Sequence, residues 1–128
     1  MISKVVAHFL DGRVIKGTTA NFYPDRNMFH ITTTEGSILV NLGQLKAVFF
    51  VKSLHGKRGY KDKKGFEGTK GLGRKVRCEF PDGEVLTGYT STYHHSRPAF
   101  FIVPTDPTSN NERIYVVTAS AKQITVLP

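Results

Sequence analysis

The sequence predicts an all-β protein that contains two copies of a five-stranded unit joined by a basic linker. Three observations lead to this prediction. Two segments of the chain align with each other, each begins with an apolar run that ends in Asp-Gly, and no stretch shows helical periodicity with capping residues. The predicted boundaries are residues 1–52 for the first unit, 53–73 for the linker and 74–128 for the second unit.

The two copies run from Lys4 to Val51 and from Lys75 to Leu127. Aligned without a gap, KVVAHFLDGRVIKG faces KVRCEFPDGEVLTG, and NMFHI faces PAFFI further along. After a five-residue insertion in the second copy, within DPTSNNE, SILVNLGQLKAVFFV faces RIYVVTASAKQITVL. Self-similarity of this kind indicates a duplication and defines the structural unit.

The first strand of each unit is predicted to end in a tight hairpin turn. The apolar residues that alternate from Val5 to Leu10 are followed by Asp11-Gly12, and Asp-Gly occurs at the same place in the second copy. Asp-Gly between apolar runs favours a type I′ turn, in which both central residues have φ > 0. We therefore expect a two-residue hairpin loop in both units.

The second strand of each unit is predicted to be long and interrupted by a glycine. It covers residues 13–22 and 84–93, with Gly17 and Gly88 at matching places. A glycine inside a strand suggests a bend or a β-bulge, as at the corner of a small barrel. A loop, two further strands, one turn of 3₁₀ helix at GQL or ASA, and a fifth strand complete each unit.

The fifth strand of the first unit, AVFFV, is apolar on both faces. We expect Phe49 and Phe50 to divide between the core of their own unit and a contact with the second unit. An exposed patch on this strand, at which a protein partner or a second copy of the chain docks, is the alternative.

Both units are similar to the small five-stranded barrels of the Sm-like and SH3-like class, and the first unit resembles the Sm motif most closely. The resemblance lies in DGRVIKG followed by NFYPDRNMFHI, with Phe22, Asp25, Asn27 and Met28 where the family has an aromatic residue, an Asp and a Met–Asn pair. The second unit keeps DGEVLTG but has no Asp or Asn there, and neither unit has the family's Arg-Gly-Asn-like turn. The resemblance covers each unit at the level of the fold and implies two tandem barrels. The repeat is also similar to bacterial domains of uncharacterised function that combine DG-x4-G with LKAVFFVK.

The positive charge is concentrated between the two units. The basic connector, from Lys52 to Arg77, contains ten Lys or Arg residues and two acidic residues, a net charge of +8. The whole chain also has a net charge of +8, so the remainder is neutral. Segregated charge of this kind favours a polyanionic partner. We expect RNA or single-stranded DNA before a duplex, because no helix is predicted that could enter a major groove.

Aromatic residues lie among these cations, as in proteins that bind single strands by stacking bases and neutralising phosphates. A solvated linker between domains is the alternative. Two loop arginines at matching places could add phosphate contacts, or each could pair with an acid of its own copy. The predicted nucleic-acid-binding residues are Lys57, Arg58, Tyr60, Lys61, Lys63, Lys64, Phe66, Lys70, Arg74, Arg26 and Arg97.

No motif in the sequence indicates catalysis, so we expect a non-enzymatic binding module with no cofactor and no metal. The single cysteine, Cys78, excludes an internal disulfide, and His94-His95 have no third ligand at a suitable spacing. We expect no signal peptide, and no apolar run approaches the roughly 18 residues needed to span a bilayer. We expect a reduced cytoplasmic location.

Two other functions are considered. One is a protein-interaction or regulatory module that docks through the Phe-rich fifth strand. The other is a PilZ-like receptor for cyclic dinucleotides, whose pattern is Arg-x3-Arg followed by Asp/Asn-x-Ser-x2-Gly. The chain offers Lys70-x3-Arg74 and later DPTSNN, and neither half of the pattern fits.

Overall fold

The computed structural model describes residues 2–56, 65–66 and 71–128. In these residues ten strands form one open antiparallel sheet, and no α-helix is present, which confirms the all-β prediction. Short 3₁₀ turns at Leu42–Gln44 and Thr118–Ser120 precede the fifth and tenth strands. The strands are β1 (Ser3–Phe9), β2 (Val14–Thr19), β3 (Met28–Thr33), β4 (Gly36–Asn41), β5 (Leu45–Val51), β6 (Arg74–Glu79), β7 (Val85–Thr90), β8 (Ala99–Pro104), β9 (Asn111–Val117) and β10 (Gln123–Leu127).

The order of strands across the sheet is β10-β6-β7-β8-β9-β5-β1-β2-β3-β4. The first half (β1–β5) and the second half (β6–β10) therefore have the same internal order. Their registers also correspond: Val5 faces Gly17, and Val76 faces Gly88. The shift along the chain is 71 residues for the first three strands of each half and 76 for the last two.

The two halves meet where β5 pairs with β9, and this ladder is called the joint. Its pairs include Ala47 with Val116 and Phe49 with Ile114. The joint makes the two halves parts of one continuous sheet.

The Asp-Gly hairpins differ from the predicted type I′ turns. The amide of Gly12 donates to the carbonyl oxygen of Phe9 (3.1 Å), and the amide of Phe9 donates to Arg13 (2.9 Å). Gly12 has a positive φ of 93°, whereas Asp11 does not. In the described chain every residue with a positive φ is a glycine. This is the pattern of a three-residue hairpin loop closed by a glycine bulge, in which Asp occupies an ordinary turn position. The turn at Asp82-Gly83 has the same hydrogen bonds.

Gly17 and Gly88 do not form bulges, because the ladders β1–β2 and β6–β7 pass through them without a change of register. They are required by a close approach of the next strand. A Cβ atom at Gly17 would lie 2.3 Å from the carbonyl oxygen of Thr32, and one at Gly88 would lie 2.2 Å from that of Val103. The β2–β3 and β7–β8 contacts therefore depend on the missing side chain.

Two hydrophobic cores lie on opposite faces of the sheet around the joint. The first core contains Val48 and Phe50 of β5 together with the inner residues of β1 and β3. The second contains Phe49 and Val51 of β5 together with residues of β6 and β8. Alternate residues of one strand thus enter different cores, which follows from the period-2 alternation of a strand covered on both faces.

The predicted division of Phe49 and Phe50 between two contacts agrees with this arrangement. Each side chain is only 5% exposed, and β5 has a paired strand on each edge. The exposed patch on this strand that was considered as the alternative is not seen in this structure, because neither phenyl ring is accessible.

Candidate nucleic-acid interface

Arg26 and Arg97 lie in equivalent loops, between β2 and β3 and between β7 and β8. The amide of Arg26 donates to the carbonyl oxygen of Tyr23 (3.0 Å), and the amide of Arg97 donates to that of His94 (2.9 Å). Both side chains are exposed. In the part of the chain that the structure describes, neither guanidinium lies within 4.0 Å of a carboxylate. Pairing with an acid of the same copy is therefore not seen there.

Arg26 lies over the ring of Tyr23, with 5.2 Å between the guanidinium carbon and the ring centroid. Tyr23 is 49% exposed, so the ring is accessible to solvent. A planar cation beside an open aromatic ring can contact a phosphate while the ring stacks on a base.

The same two loops border a depression that we call the joint groove. The hydroxyl of Tyr115 in β9 donates to the carbonyl oxygen of Pro24, which fixes the first-half loop against the second half (3.1 Å). One lobe of the groove has a volume of about 250 Å³ and is bordered by Arg97. The adjoining lobe, about 490 Å³, is lined by Asn27, Met28 and Tyr115. The groove combines apolar walls with amide and guanidinium groups.

Arg74, at the start of β6, is bound to the loop that contains Arg97. Its guanidinium donates to the carbonyl oxygen of Tyr93 (2.5 Å) and lies 5.9 Å from the centroid of that ring. The ring of Tyr93 in turn packs edge-on against Phe100 in the second core. The end of the basic connector is thereby attached to one border of the joint groove.

The connector is also anchored at Phe66, which the sequence identified, and at Tyr89, which it did not. The rings of Phe66 and Tyr89 meet edge to face with 5.5 Å between their centroids. Gly71 lies against the same tyrosine, because a Cβ there would be 2.2 Å from the Tyr89 ring. The ammonium of Lys75 lies 5.6 Å above the Phe66 ring. Two of the described pieces of the connector, residues 65–66 and 71–77, therefore contact β7 at one aromatic residue.

Four cations of the connector belong to described residues: Lys52, Arg74, Lys75 and Arg77. The ion pairs formed within the described ranges involve Arg13 with Asp11, and Lys46 with Asp82 and Glu84, so none uses these four. Lys75 and Arg77 project from the same face of β6 because they are two residues apart on a strand. Glu79 lies on the same face, so β6 presents two cations and one carboxylate there. The predicted residues Lys57, Arg58, Tyr60, Lys61, Lys63, Lys64 and Lys70 lie outside the described residues.

A buried cation at the joint is a feature that the sequence did not indicate. Lys46 of β5 is 8% exposed, and its ammonium donates to Asp82 (2.7 Å) and to Glu84. Burial alone would lower the pKa of Lys46, but the hydrogen bonds to the two carboxylates outweigh it and raise the pKa. The same contact holds the pKa of Asp82 below its usual value, with help from the Glu84 amide. A lysine kept cationic in this way links the two halves and is not a nucleophile.

The groups that could support catalysis are not assembled in the described ranges. Burial raises the pKa of the Cys78 thiol to about 12, so the thiolate is scarce at neutral pH. His94 and His95 stack with 4.3 Å between ring centroids, and His94 is hydrogen-bonded to Ser96. No three His, Cys, Asp or Glu side chains among the described residues are grouped to hold a metal ion. No helix in those residues is long and apolar enough to cross a membrane.

Comparison with known proteins gives one match. The model of a family of unknown function, DUF6982, matches residues 1–128. No curated protein and no solved structure matches the chain.

Proposed function

Because the chain belongs to DUF6982, a family of unknown function, we propose its function from its own residues: it is a non-enzymatic module that binds RNA or single-stranded DNA. The binding surface consists of the basic connector and the loops that border the joint groove. Bases stack on the exposed aromatic rings, and the cations contact the phosphates.

One observation supports this proposal above the others. Three cation–aromatic pairs, Arg26 with Tyr23, Arg74 with Tyr93 and Lys75 with Phe66, lie at the connector or at the loops beside it. Within the described residues none of these cations is neutralised by a carboxylate. Stacking of a base on an aromatic side chain contributes about 1–3 kcal/mol, and this contribution tolerates any base because every base has a π-face. The pairs thus suit an unstructured single strand.

We also propose that the two halves are tandem Sm/SH3-like units related by an internal duplication. The support is the agreement of their ladders, in which the pair Ala7–Val48 of the first half corresponds to Cys78–Ile124 of the second. The agreement extends to the hydrogen bonds of the Asp-Gly turns. It also extends to the glycine at which β2 closely approaches β3 and β7 closely approaches β8. A repeated unit places two similar loops, with Arg26 and Arg97, on one molecule.

The test is a salt titration with an unstructured oligonucleotide followed by fluorescence anisotropy. If five connector cations contact a single strand, log K should fall with log salt with a slope of about −3.5. The variant replaces Lys57, Arg58, Lys61, Lys63 and Lys64 with Gln. We expect it to lose binding and the steep salt dependence.

A control variant replaces five exposed cations outside the connector with Gln: Lys4, Arg13, Lys16, Arg113 and Lys122. Both variants lower the net charge from +8 by five, to +3, so they are matched in net charge. The control should bind within about twofold of the parent. A parent that does not bind at low salt, a connector variant that binds like the parent, or equal losses in both variants would each contradict the proposal.

A further inference from the structure

The two outermost strands of the sheet, β4 and β10, each leave one edge without a partner strand in the described chain. β4 (GSILVN) exposes Ile38 (40%) and Leu39 (54%), and β10 (QITVL) exposes Val126 (38%). Neither strand contains a charged residue or a proline. Edge strands that stay unpaired usually carry Lys, Pro or a bulge, because an open apolar edge invites another strand. Both edges therefore have the composition of strands that pair.

The joint shows which strand each edge would pair with. β4 holds the place in the first half that β9 holds in the second, and β10 holds the place of β5. At the joint, β5 and β9 already pair with each other. The two open edges are therefore the counterparts of two strands that recognise one another within the same chain.

The exposed fractions of matching side chains in β9 and β4 support the same relation between the joint and the open edges. Tyr115 and Ile114 of β9 are 4% and 2% exposed, whereas their counterparts in β4, Leu39 and Ile38, are 54% and 40% exposed. The difference arises because β5 and its half cover β9, and nothing in the described chain covers β4. If a strand paired with β4 in the way that β5 pairs with β9, it would bury Leu39 and Ile38. This burial is favourable in proportion to the apolar area removed from water.

We propose that copies of this chain assemble head to tail, with β10 of one copy pairing antiparallel with β4 of the next in the register of the joint. The joint pairs Phe49–Ile114 and Phe50–Arg113 shift by 76 residues along the chain to Thr125–Ile38 and Val126–Ser37. The interface uses two different edges, so it is heterologous. Each added copy leaves one β4 edge and one β10 edge open, and addition stops only when the open edges of the first and last copies pair. The proposal does not depend on nucleic-acid binding.

The first test measures mass by light scattering and native mass spectrometry. The parent should form multiples of 14.3 kDa. Leu39→Lys and Val126→Lys should each reduce it to the monomer, because a lysine at an unpaired edge opposes strand addition. The control is Val103→Lys, since Val103 is 53% exposed but lies on the interior strand β8. A monomeric parent overturns the proposal, as does disruption by only one of the two edge variants, which would indicate a symmetric contact between like edges.

The second test uses the parent sequence with cysteine pairs and does not depend on how well the lysine variants fold. Directly opposite residues of an antiparallel pair have Cβ atoms about 4.5–5.5 Å apart, and the closer spacing alternates along the ladder. Two double variants place a cysteine pair in the proposed register: Ser37→Cys/Val126→Cys and Ile38→Cys/Thr125→Cys. At least one of them should therefore form disulfide-linked multimers on oxidation. Ile38→Cys/Val126→Cys, displaced by one residue, should not. Cys78 is fully buried and does not compete. Cross-linking only in the displaced pair, or in none of the three, overturns the proposed register.

Discussion

β5 and β10 occupy the same place in the two halves, yet their surroundings differ. Every residue of β5 is buried, including Lys46, whereas no residue of β10 is fully buried. β5 has a strand on each edge and a core on each face, while β10 has a strand only on the β6 side among the residues that the structure describes. The comparison shows that LKAVFFV and QITVL differ in apolar content because the two strands have different numbers of neighbours.

The comparison predicts a large difference between two matching truncations. Phe50→Ala should lower the free energy of unfolding by about 3–5 kcal/mol, because it removes a buried ring and leaves a cavity in the first core. Val126→Ala, at the matching place in β10, should cost less than about 1 kcal/mol because this side chain is 38% exposed. Urea unfolding of both variants at one protein concentration measures the difference. Equal losses would show that β5 and β10 are equivalent in solution.

The sequence was sufficient for features that recur locally. The all-β class, the strand pattern and the two-faced character of Phe49 and Phe50 were predicted, because alternation is visible in neighbouring residues. The turn type was wrong because Asp-Gly also suits a three-residue loop, in which only the glycine needs a positive φ. Local patterns do not distinguish these two hairpins.

Features that depend on the joint could not be predicted. Nothing in LKAVFFV specifies β9, whose paired residues lie 60 to 69 positions further along the chain, as its second neighbour. The ion pairs of Lys46 follow from that pairing, since they join β5 to the Asp82-Gly83 turn. Tyr89 was missed as an anchor of the connector for the same reason: its partner, Phe66, is distant along the chain. Arg26, Arg97, Arg74 and Phe66 were named in advance as nucleic-acid-binding residues, and that role stays a prediction. Of these, Arg97 borders the joint groove.

A second prediction concerns a feature that the halves share. Gly17→Ala and Gly88→Ala should each destabilise the protein by about 1–3 kcal/mol, because the new Cβ would overlap a carbonyl oxygen and a strand must move. Gly65→Ala is the control, since a Cβ there meets nothing within 4 Å. Thermal unfolding of the three variants gives the comparison. A loss of stability in only one of the Gly17 and Gly88 variants would mean that the β2–β3 and β7–β8 contacts are not equivalent.

The smallest change in the free energy of unfolding is expected at Lys46, whose ion pairs have no counterpart at the matching Lys122 among the described residues. Lys46 and Lys122 hold matching places, but Lys46 is buried on the second half and Lys122 is exposed. Lys46→Met keeps an unbranched apolar side chain but removes the ammonium, both its hydrogen bonds and its place over the Phe80 ring, at a cost of about 1 kcal/mol at pH 7. Lys122→Met should leave the free energy of unfolding unchanged in the same urea titration.

The pH dependence of the Lys46→Met effect tests its cause. The pKa of Asp82 is lowered in the folded protein, first by the hydrogen bond from Lys46. Such a group stabilises the fold above its unfolded pKa, and that contribution is lost as the pH falls through the lower folded value. The difference between parent and Lys46→Met should therefore shrink as the pH falls below about 4. A difference that stays constant from pH 7 to pH 3 would assign the loss to packing of the lysine stem, because only the ion pair requires an ionised carboxylate.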